Sequence, residues 1–317
     1  MSTAILILNY NNAADTVRCI RSILDVNTAT VKFIIVDNGS TKEGTVETVD
    51  RYLAEQFGQQ YSQFGTGGRP IGVLPPASVL LNPSNEGYAV GNNHGLRWIY
   101  EDPEIDSILL LNNDVLFTGD IIPVLKRDAL TLKACGIVTP LLYKKDGKTI
   151  DSCCARRFVS NWNVMVPFLL HNRDWFHWIT KNYARQDLIG LDPGLTGSGR
   201  PFPIDYPSGS CLFIDKDLFR AIGSFDPNTF LYYEEIILYK KLQAAGKQNY
   251  CDPTVQAIHL GGSSTRMSDN SFLQRCNLES ADVYFRDYGK CSRSQKAVWA
   301  LTRCAWRLRL RLKRFKR

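Results

Sequence analysis

The sequence predicts an α/β fold, a mostly parallel mixed sheet flanked by helices, with a basic amphipathic helix appended at the C-terminus. Three observations predict it. Short apolar runs alternate with segments of helical period, which implies right-handed βαβ units. Polar clusters follow those runs, at the carboxyl edge where open α/β sheets bind ligands. Finally, no acidic residue follows Asp287, whereas residues 290–317 hold eleven Lys or Arg.

The elements follow in order. "AILILNY" (4–10) is a short apolar strand, and a helix runs from Asp15 to Leu24. "VKFIIVDNGS" (31–40) is a second strand that ends on Asp37, Asn38 and Gly39. A helix covers 43–57, and "RPIGVLPP" with "SVLLNP" (69–83) supplies one or two short strands. "NEGYAVGNNHGLRWIYE" (85–101) begins as a Gly/Asn-rich loop and continues as a helix, followed by the strand "SILLLNNDV" (107–115). From 137 to 215 the pattern loosens: residues 161–182 are rich in aromatics and 190–201 form a flexible loop. Strand and helix return at 211–227. The helix 234–247 has acidic residues in its first turn and Gly246 at its stop. "VQAIHLGG" (255–262) is a late strand running out at His259.

Composition narrows the classes. With 317 residues, 44% apolar and 22% charged, the chain has the make-up of a globular protein with a large core. The N-terminus lacks a basic leader, which argues against a secretory signal. No window approaches the ~20 apolar residues of a spanning helix. Nine scattered cysteines without a C-x-x-C pair point to reduced thiols. Subtracting the eleven tail cations from the net +7 leaves residues 1–289 at −4, so the basicity is local. That acidic body, with no recognised nucleic-acid module, argues against a nucleic-acid partner. The sequence carries no signal of oligomeric state.

Six clusters carry candidate chemistry: Asn9/Tyr10, Asp37/Asn38, Asn85 to Asn93, Asn112 to Asp114, Glu234/Glu235, and His259. Each alone has a plainer reading, as a turn, a helix entry or a structural histidine. Their common placement at strand ends and a helix start favours one site. A dinucleotide-binding oxidoreductase would share the alternation, but "NYNNAADT" follows the first strand in place of G-x-G-x-x-G. A non-catalytic membrane-bound scaffold is the other class.

In this order, "ILILNYNN", "IIVDNGS", "NEGYAVGNNHG", "LLLNNDV", "PSGSCLFIDKDLFRAIGSFDPNTFLYYEEIILYKKLQAAG" and "VQAIHLGGSST" resemble the family-2 nucleotide-sugar glycosyltransferases. The resemblance implies their single-domain A-type fold and is strongest toward rhamnosyltransferase-like enzymes of bacterial surface polysaccharide assembly. It divides the chain into a catalytic domain over 1–289, with nucleotide-binding (1–120) and acceptor-binding (121–289) halves, and a tail over 290–317. By resemblance, Asn112-x-Asp114 stands in place of an Asp-x-Asp motif. Asp114 and His259 would then hold Mn2+ or Mg2+, and the amide of Asn112 suits a hydroxyl or phosphate oxygen. Asp37 would accept the N3–H of uracil or thymine. Asn9, Tyr10, Asn38, Asn85, Gly87, Asn92, Asn93 and Asn113 complete the nucleotide-sugar contacts, with Gly87 and Gly91 letting the backbone approach closely. Glu235 would be the general base of an inverting displacement. Glu234, Gly209 and Ser210 would meet the acceptor. The donor implied first is dTDP-L-rhamnose, with UDP-hexose or UDP-galactofuranose as the alternative. The acceptor is a saccharide on a polyprenyl diphosphate.

In the tail, Val298, Leu301, Ala305, Leu308, Leu312 and Phe315 recur at spacings of three and four. Arg303, Arg307, Arg311 and Arg314 lie opposite, Trp299 and Trp306 on a flank, and Leu310 breaks the pattern. This is the signature of an interfacial helix on an anionic membrane. It implies a cytoplasmic enzyme peripheral to the inner face of the plasma membrane.

Overall fold

A computed structural model describes residues 1–65, 72–169, 187–261 and 270–314. Part of the expected strand over 69–83, the aromatics at 170–178 and Phe315 lie outside the described residues. So do the side chains of Arg311, Leu312 and Arg314.

The chain runs β1 (Ser2–Asn9), α1 (Ala13–Leu24), β2 (Val31–Asp37), α2 (Thr45–Phe57), β3 (Tyr61–Phe64), β4 (Ala77–Leu81) and α3 (Gly87–Glu101). Next come β5 (Ile105–Asn112), β6 (Val115–Phe117), α4 (Ile122–Thr131), β7 (Cys135–Lys144), α5 (Asn161–Leu169) and α6 (Leu188–Leu191). It ends with β8 (Phe202–Ile204), β9 (Cys211–Asp215), α7 (Lys216–Ala221), α8 (Glu234–Ala244), β10 (Gln248–His259), α9 (Asn270–Val283) and α10 (Arg293–Arg314). One sheet has the order β3-β4-β2-β1-β5-β9-β7-β10-β6, with β8 paired to β10. The first five strands in that order are parallel, β9 is antiparallel to both neighbours, and β10 is again parallel to β7.

Alternation along the strands builds the two helical layers. Ile5, Ile7, Phe33 and Ile35 face Cys19, Ile20 and Ile23 of α1 and Leu53 of α2. Ala4, Leu6, Ile34 and Val36 face Ala89, Leu96 and Ile99 of α3. Because side chains alternate faces, a fully apolar run such as "AILIL" is what a strand covered on both sides requires. Each such buried Leu or Ile contributes about 1.5–3 kcal/mol before the entropy of ordering it. All nine cysteines carry free thiols.

Several expectations need correction. The short strand β3 has no counterpart among the predicted elements. The segment 190–201 is not simply a flexible loop: Asp187 and Asp192 accept hydrogen bonds from Gly190 and Gly194, capping α6 and a 3-10 turn over Pro193–Gly197. The late strand starts at Gln248, earlier than 255, because its first half pairs with β7 and β8.

The C-terminal helix forms as expected, but its buried face is the other one. Trp299 and Trp306 are only 5% and 9% exposed, inside a third apolar cluster with Met165, Tyr284 and Phe285. The Trp306 indole N–H donates to the Phe168 carbonyl (2.8 Å), and that of Trp299 to Asp282 (3.0 Å). Arg303 closes on both oxygens of Asp282 at 2.8 Å. These three residues therefore belong to the protein interior and its rim, not to a lipid-facing flank. Two indoles bury more apolar area than the small residues and leucines opposite, and their N–H groups find partners. Leu310 packs on this docked face, which explains its break in the leucine stripe. Leu301 and Leu308 stay 74% and 59% exposed.

Candidate active site

At β1 the topology switches: β2 flanks it on one side and β5 on the other. The carboxyl ends of β1 and β5 lie side by side at this point, where open α/β sheets bind ligands. A cavity of about 330 Å3 lies there. Its wall includes Leu8 and Tyr10 from the β1 end, Asn38, Asn85 and Gly87 beside it, and Asn112, Asn113 and Asp114 from β5. Ser208, Gly209 and Ser210 before β9, Glu234 and Glu235 of α8, and His259 of β10 close the other side.

The β1–β2 ends are stiffened by amides and carboxylates that bond each other. Asp37 is buried and accepts from the Asn9 amide (2.7 Å), the Ser40 N–H (2.8 Å) and the Ser40 hydroxyl (2.7 Å). Asn38 donates to Asn85 and to the Gly87 carbonyl, each at 3.0 Å. Asn113 donates to Thr16 (3.0 Å), tying the β5 turn to α1. Asn9 and Asp37 thus lie behind the wall, as braces.

Besides Asn9 and Asp37, two further predicted contacts are not brought to the cavity. Asn92 is buried and donates to the Tyr88 carbonyl one turn earlier. Asn93 pairs both ways with the backbone of Phe225, donating at 3.0 Å and accepting at 3.3 Å. Their amides hold α3 and the Phe225 turn. The glycines of this stretch also serve packing before any ligand. A Cβ at Gly87, where φ is +85°, would sit 2.3 Å from the Phe230 carbonyl oxygen, and one at Gly91 would meet Leu8 at 2.7 Å.

The β5–β10 side of the cavity assembles a carboxylate–imidazole–carboxylate row. His259 Nε2 lies 3.5 Å from Asp114 Oδ1, and its Nδ1 lies 3.0 Å from Asp151 Oδ2. A hydrogen bond from His259 holds Asp151 below the usual carboxylate range, so Nδ1 is the donor and Nε2 is the atom turned toward Asp114. Burial opposes charge on the imidazole, but the two carboxylates outweigh it and raise His259 to about 9. Among the described residues no three His, Cys, Asp or Glu gather as a metal cage. One carboxylate and one imidazole facing a cavity fit a divalent cation that takes its remaining ligands from phosphate and water.

The acidic pair is delivered by strained backbone. Tyr232 and Tyr233 have φ of +75° and +72°, each costing about 1–3 kcal/mol. This double reversal starts α8 at the cavity and splits the pair. Glu234 is 6% exposed, with Oε1 buried and without a hydrogen-bond partner. Burial, reinforced by the Glu235 charge, pushes it up to about 8, so it is mainly protonated at pH 7. Glu235 faces outward, its Oε1 accepting the Gly209 N–H at 3.0 Å with Arg156 Nη2 at 3.6 Å. The Tyr88 hydroxyl donates to the Gly209 carbonyl at 2.9 Å.

Asp151, Arg156, Tyr88 and the Phe230–Tyr232 wall were not singled out from sequence. Only the doubled tyrosine before Glu234 offered a local signal. Asp151 and Arg156 lie in the aperiodic stretch, and the sheet order carries them to the site.

Residues 4–179, more than half of the chain, match the family described as Glycosyl transferase family 2. An N-acetylglucosaminyl-diphospho-decaprenol L-rhamnosyltransferase of Mycobacterium tuberculosis is 27% identical over 255 residues, 77% of this chain and 71% of that protein. The low-salt glycan biosynthesis hexosyltransferase Agl10 of Haloferax volcanii is 24% identical over 81% of this chain and 66% of its own length. The rhamnosyltransferase WbbL of Escherichia coli is 24% identical over 57% of the chain and 63% of its own length. The fold is similar to that of a crystal structure of GalNAc-T7 with UDP, GalNAc and Mn2+, at a TM-score of 0.59 and 13% identity. That alignment covers 91% of this chain and 49% of the other.

Proposed function

The chain belongs to glycosyl transferase family 2, and we propose that it transfers a sugar, with inversion, from a nucleotide diphosphate donor to a lipid-linked saccharide. The observation that carries this reading is the cavity itself, where Asn112, Asp114 and His259 stand on the β5–β10 side and Glu235 on the α8 side. The donor is dTDP-L-rhamnose and the acceptor a saccharide on a polyprenyl diphosphate, supported by the rhamnosyltransferase relatives. The hexosyltransferase relative supports a UDP-hexose or UDP-galactofuranose donor as the second reading.

In this mechanism Tyr10 stacks on the base and Asn112 bonds a ribose hydroxyl or phosphate oxygen, while Asp37, bonded to Asn9 and Ser40, braces the wall behind them. Asp114 and His259 would hold Mn2+ or Mg2+, which when bound would stabilise charge on the leaving diphosphate. Glu235 accepts the acceptor hydroxyl proton as that oxygen bonds the anomeric carbon. The sugar–phosphate bond breaks as the new bond forms, and its electron pair leaves with the nucleotide diphosphate. Protonated Glu234 donates a hydrogen bond to sugar or acceptor, while Gly209 and Ser210 line the acceptor's approach.

We place the enzyme at the inner face of the plasma membrane through α10. Helices α5 and α10 pack together, and Trp162, Leu169, Leu301 and Leu308 remain exposed on them. With Arg307 and the other tail cations, they suit an anionic surface at roughly 1 kcal/mol per basic residue near it. Among the described residues no helix is long and apolar enough to cross a membrane.

Thermal stabilisation by dTDP or UDP with Mn2+, and not by NAD, is expected; the reverse would sink the transferase reading. Glu235→Gln should abolish transfer while keeping that stabilisation. Serine at both Leu301 and Leu308 should lower binding to phosphatidylglycerol vesicles, and unchanged binding would remove the membrane assignment.

A further inference from the structure

Beyond the residues that touch donor or acceptor, one cation is built against the proposed base. Arg156 lies with its guanidinium carbon 4.5 Å from the centre of the Tyr206 ring. Its backbone exchanges hydrogen bonds with Tyr206, and Nη2 donates to the Pro207 carbonyl at 3.1 Å. The same Nη2 is 3.6 Å from Glu235 Oε1, the oxygen that also accepts the Gly209 N–H. Among the described residues nothing bonds Oε2. Arg156 Nε is buried without a hydrogen-bond partner.

We infer that Arg156 is a positioning residue for Glu235: with the Gly209 N–H it ties down Oε1 and leaves Oε2 as the atom that takes the acceptor's proton. This rests on Glu235 being the base.

The groups that face Glu235 support it. They are Arg156, Glu234, the phenols of Tyr88 and Tyr206, and the thiol of Cys153. Burial raises both phenols and the thiol, which keeps them neutral, and Glu234 is raised by burial and by Glu235 itself. With these neighbours neutral, Arg156 is the charged group set beside Glu235 at a partly desolvated position. At 3.6 Å the contact supplies charge, while the shorter Gly209 bond supplies direction.

The test uses the full chain and Arg156→Met, which keeps the stem on Tyr206, beside Arg156→Lys, which keeps the charge. Carbon-13 NMR of labelled Glu carboxyls follows Glu235, assigned by its loss in Glu235→Gln. Arg156→Met should raise its titration midpoint, because a cation beside the carboxylate is lost, and Arg156→Lys should restore it. With dTDP-L-rhamnose and a synthetic polyprenyl-diphosphate-linked N-acetylglucosamine, the acidic limb of kcat/KM should move up equally, with donor KM unchanged. An unmoved midpoint in a folded Arg156→Met overturns the inference while leaving Glu235 as base. If Glu235→Gln still transfers sugar, the base assignment falls and the inference with it.

Discussion

Glu234→Gln should stabilise the protein increasingly as pH rises. The glutamate has its Oε1 buried without a partner, and burial together with Glu235 lifts it from 4.5 to about 8. A carboxyl raised in the folded state binds a proton that the unfolded chain releases. Its contribution is intact below pH 4.5 and is lost as pH climbs to 8. At about 1.4 kcal/mol per pH unit, the loss is on the order of 3 kcal/mol at pH 7 and 5 above pH 8. Glutamine has the same shape and does not titrate, so any fixed cost of burying its amide is independent of pH. Urea unfolding of wild type and variant at pH 5 and pH 8 isolates the effect, because titrating groups other than its neighbour Glu235 cancel in the difference. The variant's relative stability should rise by about 4 kcal/mol between the two. A difference that does not change with pH would show Glu234 ionised in the folded protein and refute the division of labour between the two glutamates.

Other perturbations probe the remaining walls of the site. Asp151→Ala should weaken Mn2+ binding in the presence of dTDP by about 10–100-fold, read from the free-Mn2+ resonance signal, because His259 loses its Nδ1 partner. Asp151→Asn, which still accepts that bond, should lose less; equal affinity in all three proteins would separate Asp151 from the metal. Gly87→Ala forces a Cβ to 2.3 Å from the Phe230 oxygen at a φ of +85°. It should cost about 3 kcal/mol or more in urea unfolding and raise donor KM. Trp306→Ala should destabilise by about 3–5 kcal/mol, because the indole fills the third cluster; a loss below 1 kcal/mol would mean that α10 is not docked.

The legible parts of this protein are those where neighbouring residues carry the signal. "AILIL" and "FIIVD" announce doubly covered strands because alternation is a property of adjacent residues. That Asp114, Glu235 and His259 meet at one cavity is legible because each sits at the end of such a run or the start of a helix. The row of Asp114, His259 and Asp151 was not. Asp151 reaches His259 because β7 and β10 are neighbours in register, with His259 opposite Lys144, and the chain folds back just beyond. Arg156 likewise meets Glu235 across 79 positions through its pairing with Tyr206.

The tail makes the same point about competing faces. Its period and charge predict a helix, and α10 forms. Which face is buried depends on the partner surface, and the cluster around Tyr284, Phe285 and Phe168 takes the two indoles while Leu301 and Leu308 stay exposed. Asparagines at 92 and 93 were equally ambiguous, since an amide after glycine can meet a ligand or a backbone. Secondary structure and the strand-end chemistry follow from spacing along the chain, a short-range property. The choice of partner for each amide, carboxylate and helix face follows from desolvation, which exists only once distant segments have closed around it.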